Sequence, residues 1–468
     1  MLDRSHTIGA PVGVMRRTAA VWAGKATGAL SRLSGRGGGT TLPGDVARAI
    51  DPTVLRQLTS DLTEGSVVIT GTNGKTTTAR LIVTIFEGMG KRVVSNRAGA
   101  NLIFGATAAA LRSAGPDGRL RADWGVFEID EASLPKAVEE IQPRLVIVLN
   151  LFRDQLDRYG ELEKIARTIE SALSRLPEGA QAVLNADDPR VGEIGISLAR
   201  LPLWFGIEDR SVASTTLPHA ADARTCPKCG ASLRFVAVYL GHDGIYDCPN
   251  GDFARPVPDI AATQVALNGF DSLGMTIGET RLELPVGGLY NAYNALAAFA
   301  AGSALGVDGD YMAERMSSFQ AAFGRQERML FRGRHLVLVL SKNPAGFNET
   351  LRTAVELAGA EYLILGLNDR KADGTDVSWI WDVDFEQLTG RVRVVVPAGT
   401  RAHDLAVRLK YAGVEAREPQ TSPGKALDDL IAVTPEGATA HILCTYTAML
   451  DIRAELVRRG WAKPYWET

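Results

Sequence analysis

Between Val67 and about Phe205 the chain alternates two kinds of hydrophobic pattern. Short, mainly apolar runs rich in β-branched residues fall at Val67–Thr70, Arg92–Asn96, Trp124–Ile129, Leu145–Leu149 and Ala182–Asn185. The stretches between them return apolar residues at helical spacing. Strands without a polar face, alternating with helices, predict a parallel sheet covered on both sides. The pattern breaks from Thr225 to Pro258, where turns, prolines and cysteines crowd together, and this reads as an insertion. Strand-like segments resume over about Gln264–Leu284, and an alanine-rich helix starts near Tyr290-Asn291-Ala292-Tyr293-Asn294. A second α/β region follows, with strands predicted at His335–Leu340, Tyr362–Leu367, Arg391–Val396 and Ala440–Leu443. The 468 residues fit about three domains. We expect a basic helical segment and linker at 1–50, a central parallel-sheet domain at 51–316 holding a cysteine ribbon at 222–258, and a C-terminal α/β domain at 317–468.

In an open α/β sheet the ligand site lies beyond the carboxyl ends of the strands. Val67-Val68-Ile69 runs into Thr70-Gly71-Thr72-Asn73-Gly74-Lys75-Thr76-Thr77, and a helical pattern continues from Ala79 to Glu87. A strand, a glycine turn and a helix start put several backbone N–H groups around one point. Lys75 adds a charge and Thr76 a hydroxyl that can ligate Mg²⁺. The segment therefore predicts a polyphosphate cradle, although G-x-x-x-x-G-K-[ST] wants glycine where this chain has Ile69. Three other strand ends carry polar groups to the same edge: Glu128-Ile129-Asp130, Asn150 with Arg153-Asp154, and Asn185-Ala186-Asp187-Asp188.

Charge narrows the partners. Lys+Arg 51 against Asp+Glu 54 gives no global basic field, so nucleic acid is not expected. No apolar run approaches the roughly 20 residues of a membrane span. Met15 to Arg36 carries Arg16, Arg17, Lys25, Arg32 and Arg36 among apolar residues. It reads as a basic surface helix before the Gly-rich linker Ser34 to Gly39, or as an amphipathic, membrane-touching or transit-like segment.

Three of the four cysteines lie close together and the fourth is distant, which is no disulfide framework and fits a reducing cytoplasm. Cys226-Pro227-Lys228-Cys229-Gly230 has the form of a zinc knuckle. Its partner Cys248-Pro249-Asn250-Gly251 lacks the second cysteine, so Zn²⁺ needs Asp252, Asp247 or His242 as fourth ligand, Asp252 being the first choice. The alternative is a ribbon that has lost its metal. Cys444 is the one cysteine outside this stretch, has no glycine beside it, and reads as a buried, inert thiol. A glutaminase nucleophile is therefore not expected in this chain.

The tight G-T-N-G-K-T-T loop resembles that of the Mur ligase and folylpolyglutamate synthase family, whose members use ATP to turn a carboxylate into an acyl phosphate that an amine then attacks. The resemblance implies a Mur ligase-type central parallel-sheet ATPase domain with a zinc-ribbon-like insertion, plus a C-terminal Rossmann-like α/β domain. It implies ATP and Mg²⁺ as cofactors. Gly71, Thr72, Asn73, Gly74, Lys75, Thr76 and Thr77 would bind the nucleotide, Thr76 and Glu128 the Mg²⁺, and Asn291 the adenine. Asn150 to Tyr159 is similar to the family's N-x-x-x-D-H-L-D-R, with Gln155 in place of the metal-binding histidine. Lys164 is the nearest counterpart of the carbamylated lysine, and Val339 stands where the ribose aspartate is usual.

Longer matches narrow the resemblance within that family. TTLPGDVARAIDPTVL, EIDEASLP, LNADDP, YNAYNALAA, SKNPAGFN and above all NDxxADGxDVSWIWDVDFE are similar to the ligase-like subunit of the lipid II amidating enzymes. That resemblance implies amidation of D-glutamate in the lipid II stem peptide during peptidoglycan synthesis, in the cytoplasm, either free or peripheral at the inner face of the membrane. It also implies a GatD-like class I glutaminase partner, whose Cys-His pair Asp376 would complete as a triad, with Asp373 or Asp382 as alternatives. Lys75, Glu128 and Asp376 are the expected catalytic residues. A free-standing amino acid ligase would need its own carbamylated lysine, and a nucleotide-gated binding module would perform no chemistry.

Overall fold

A computed structural model describes residues 9–33, 41–96, 100–153, 161–214, 216–219, 221–320 and 325–462. The strands β1 (Gly65–Thr70), β2 (Val93–Ser95), β3 (Trp124–Glu128), β4 (Leu145–Val148), β5 (Gln181–Asn185) and β6 (Leu203–Ile207) alternate with helices. They pair in parallel in the order β6-β5-β4-β1-β3-β2. Both faces are buried, as strands without a polar face require. On β1, Val67 and Ile69 join the core under helices Lys75–Gly88 and Leu289–Ala304, while Val68 joins the opposite core with helices Ile103–Ser113 and Leu134–Ile141.

The cysteine insertion contains a hairpin of β7 (Arg234–Leu240) and β8 (Asp243–Asp247). The chain then returns to the sheet. β9 (Ile260–Asn268) pairs in parallel with β6, and β10 (Ser272–Ile277) and β11 (Thr280–Leu284) add antiparallel, giving nine strands among the described residues.

The second sheet holds β12 (Arg325–Phe331), β13 (Arg334–Leu340), β14 (Tyr362–Gly366), β15 (Val394–Ala398) and β16 (Thr439–Cys444) in the order β12-β13-β16-β14-β15. Only β12 is antiparallel. It was not predicted, because its first half reads Arg-Gln-Glu-Arg; as an edge strand it pairs on one side only.

The basic N-terminal segment forms helix Gly9–Leu33. Arg16 Nε donates to Ile50 O (2.7 Å), Arg17 pairs with Asp61, and Ala20 and Val21 are buried. Met15, Trp22 and Leu30 are exposed. Ser34 to Gly39, and Arg36 with it, lie outside the described residues. No helix among the described residues is long and apolar enough to cross a membrane.

Candidate active site

The loop after β1 is shaped by two glycines with positive φ. Gly71 (φ 130°) lies so close to the next strand's exit that a Cβ would stand 3.0 Å from Asn150 N. Gly74 (φ 91°) precedes helix Lys75–Gly88, and a Cβ there would come within 2.1 Å of Asn294 Oδ1. That helix starts without a side-chain cap or an acidic first turn, so its first N–H groups and dipole are left for an anion. Gly74→Ala should therefore displace the loop, weakening nucleotide binding and lowering stability by about 1–3 kcal/mol; calorimetric titration with ATP and thermal unfolding read the two effects.

The turn following β4 fixes the loop from behind. Thr72 N donates to Asn150 O (3.0 Å) and Asn73 N to Asn150 Oδ1 (2.9 Å). Thr72 Oγ1 donates to Phe152 O (3.1 Å) and accepts from Phe152 N (3.0 Å). Asp188 at the β5 exit accepts from Leu151 N (2.6 Å) and anchors that turn in place.

Parallel pairing of β1 with β3 sets Ile69 opposite Glu128, which brings Glu128 to the loop. Thr76 Oγ1 donates to Glu128 Oε2 at 2.7 Å. A hydroxyl and a buried carboxylate at this spacing are the hard oxygen donors that Mg²⁺ takes beside water and phosphate oxygens, so the residues fit that ion. Lys75 Nζ meets Gly71 O and stands 3.5 Å from Glu131. Two supporting residues were missed from sequence. Glu131 positions the Lys75 ammonium, and Asn96 accepts from Glu128 N (3.0 Å) while donating to Glu128 O (2.7 Å). Polar residues just past β2 and β3 were the available signal.

Asn291, on helix Leu289–Ala304, is buried; it donates to Gly287 O (2.8 Å) and accepts from Asn294 (3.2 Å). It reaches the loop through Asn294, the residue Gly74 makes room for. From the second sheet, Asn343 caps helix Pro344–Arg352 through Gly346 N (2.9 Å). Its amide also exchanges hydrogen bonds with Asn73 (3.4 and 3.1 Å), so the C-terminal region touches the loop directly.

The three aspartates weighed for a partner's triad separate clearly. Asp373 is buried and accepts from Thr447 N (2.8 Å), holding the start of helix Tyr446–Arg458. Asp382 faces Arg153 (3.4 Å), which also pairs with Asp222. Asp376 is partly exposed, and its Oδ1 accepts from Ser378 N (2.8 Å) and Oγ (2.6 Å) at the start of the turn Ser378–Asp382. Of the neighbouring tryptophans, Trp379 is core and Trp381 is half exposed. Cys444 is fully buried, and burial pushes its thiol far up.

In the insertion, Cys226, Cys229 and Cys248 place their sulfurs within 4.8 Å of one another. The proposed fourth ligands do not join them. Asp252 is exposed and outside the group, and Asp247 pairs with Arg234. His242 is buried elsewhere, 3.5 Å from Asp188 and packed on the Phe152 ring. Lys164 is exposed on helix Glu161–Leu173, which removes it as a buried carbamylated lysine. Gln155 lies outside the described residues.

Sheet order, loop and the Thr76–Glu128 pair define the class as a Mur-type ligase, and the comparisons agree. Residues 69–216 match the Mur ligase middle domain and residues 340–449 the MurT ligase C-terminal domain. The fold is that of a pseudomurein peptide ligase type C from Methanothermus fervidus (TM-score 0.66, 22% identity, 85% of this chain and 79% of that one). It is also that of MurF ligase from Thermotoga maritima solved in complex with ADP (TM-score 0.62, 15% identity, 89% and 85%). A lipid II isoglutaminyl synthase (glutamine-hydrolyzing) subunit MurT from Streptococcus pneumoniae (strain ATCC BAA-255 / R6) is 35% identical over 92% of this chain and 94% of its own length. Its Staphylococcus aureus (strain N315) counterpart is 33% identical over 86% and 89%. The chain belongs to the MurT family of ligase subunits.

Proposed function

We propose that this chain is the ATP-dependent ligase subunit that amidates lipid II. The α-carboxylate of D-glutamate in the stem peptide takes the γ-phosphoryl group of ATP, releasing ADP. Ammonia from a GatD-like class I glutaminase then displaces phosphate from the acyl phosphate, leaving D-isoglutamine. The observation that carries this reading is the meeting of Lys75, Thr76 and Glu128 at one capless helix start. Thr76 and Glu128 would hold Mg²⁺, which supplies positive charge against the transferring phosphate.

The remaining work falls to the chain. The first N–H groups of helix Lys75–Gly88 orient the β- and γ-phosphates, and the Lys75 ammonium neutralises charge that spreads over the phosphoryl oxygens. Asn291 would meet the adenine, Asn294 ties it to the loop, and Asn343 brings the C-terminal region against that loop. Residues 51–316 would bind nucleotide and 317–468 the glutaminase, through Asp376. The partner is needed because the sole cysteine outside the ribbon, Cys444, is sealed in the core. Zn²⁺ belongs in the ribbon. Met15, Trp22 and Leu30, exposed on the basic helix, would meet the cytoplasmic membrane surface where lipid II resides.

Co-expression with a neighbouring glutaminase-like reading frame, followed by mass spectrometry of lipid II, tests the reading. The expected product has an amide in place of the stem glutamate's α-carboxyl; unmodified lipid II beside an active glutaminase would refute it.

A further inference from the structure

The ribbon differs from a closed four-cysteine site in a way that has chemical consequences. Two turns face each other across the sulfurs. In the first, Cys226 and Cys229 lie on a turn closed by Gly230 N donating to Cys226 O (2.9 Å). In the second, Gly251 N donates to Cys248 O (2.9 Å), and Gly251 itself takes a positive φ (79°). The two turns are therefore not equivalent. The place where the second knuckle would carry its other cysteine is a backbone conformation suited to glycine, and a Cβ built there meets nothing within 4 Å.

The three sulfurs are nonetheless arranged as ligands. Cys229 and Cys248 Sγ are 3.5 Å apart, close to the separation of two thiolates on one tetrahedral ion with bonds of about 2.3 Å. Asn250 Nδ2 donates to Cys229 Sγ (3.5 Å), an outer hydrogen bond that orients this sulfur. Among the described residues no further His, Cys, Asp or Glu joins the group. Cys226 and Cys248 are buried and Cys229 is exposed, so the cluster opens to solvent on the side of Cys229 and Gly251.

We infer that this ribbon binds Zn²⁺ through the three thiolates of Cys226, Cys229 and Cys248, with the fourth position open to solvent and accessible to an exogenous soft donor such as a thiol. The inference rests on the ribbon's own geometry and stands apart from the proposed ligase reaction. A structural zinc with four protein ligands is closed, whereas three ligands plus water leave an exchangeable position. A monothiol that occupies this position does so as its thiolate: the S–H proton goes to buffer, the water leaves, and no electrons are transferred.

The test uses the full chain, purified after growth with zinc. X-ray absorption at the zinc edge should give three sulfurs and one oxygen or nitrogen per ion. Excess β-mercaptoethanol should convert the shell to four sulfurs, and Co²⁺ substitution should show thiolate charge transfer that strengthens when the thiol is added. Cys229→Ser should lose the ion, read by elemental analysis beside a thermal unfolding control. Four sulfurs before any thiol is added would overturn the inference. So would a shell the thiol leaves unchanged, wild-type chain without stoichiometric zinc, or zinc fully retained in folded Cys229→Ser.

Discussion

Lys75→Met lowers ammonium-supported lipid II amidation on the order of a thousandfold, measured as ADP released per chain, with the thermal unfolding midpoint little changed. The size follows from the role proposed for the residue. Charge on the transferring phosphoryl group is greatest in the transition state, and a preorganised donor there contributes more to the rate than to nucleotide affinity; loss of one such donor costs roughly 10²–10³ in turnover, more for a full positive charge. The Lys75 ammonium is held by Gly71 O and Glu131, and its side chain is nearly buried, so it would enter the proposed reaction already ordered. Glu131→Gln should be milder, because Gly71 O still holds the ammonium. A fall in affinity for ATP with turnover at saturation unchanged would remove Lys75 from the chemical step.

What could be read from the sequence was what local pattern determines. The β-branched runs at Val67–Thr70 and Leu145–Leu149 have no polar face, so they could only be strands buried on both sides, and helical spacing between them implied parallel order. The glycine turn before Lys75 could be read for the same reason, since Gly71 and Gly74 occupy backbone states other residues avoid. Features that depend on register or long-range approach were hidden. Asn96 and Glu131 matter because β2, β3 and β1 are neighbours, and Asn343 matters because it meets Asn73 from 270 residues away. His242 stood near the cysteines in sequence, yet the hairpin turn between β7 and β8 carries it to Asp188 instead. The edge strand β12 was masked by its charged start. The strand-like segments expected after the insertion extend the central sheet through β9 beside β6, a pairing no local pattern encodes.

Asp376→Asn should separate the two half-reactions. In complex with the glutaminase, glutamine-supported amidation should fall by roughly 10⁴, the scale of loss when an aspartate orienting a catalytic histidine becomes an amide, while ammonium-supported amidation is kept. The proposed role is assigned to Asp376 rather than to its neighbours. Asp373 is spent on Thr447 at the start of helix Tyr446–Arg458, and Asp382 faces Arg153. Asp376 fixes its own turn through Ser378 with Oδ1, and being partly exposed it can present a carboxylate oxygen to an imidazole on another chain. Because the Ser378 bonds also shape the turn, the amide variant needs a companion. Ser378→Ala keeps the carboxylate but loosens it, and should cost far less than Asp376→Asn. Equal loss of glutamine- and ammonium-supported turnover in Asp376→Asn would instead place this aspartate in the ligase step.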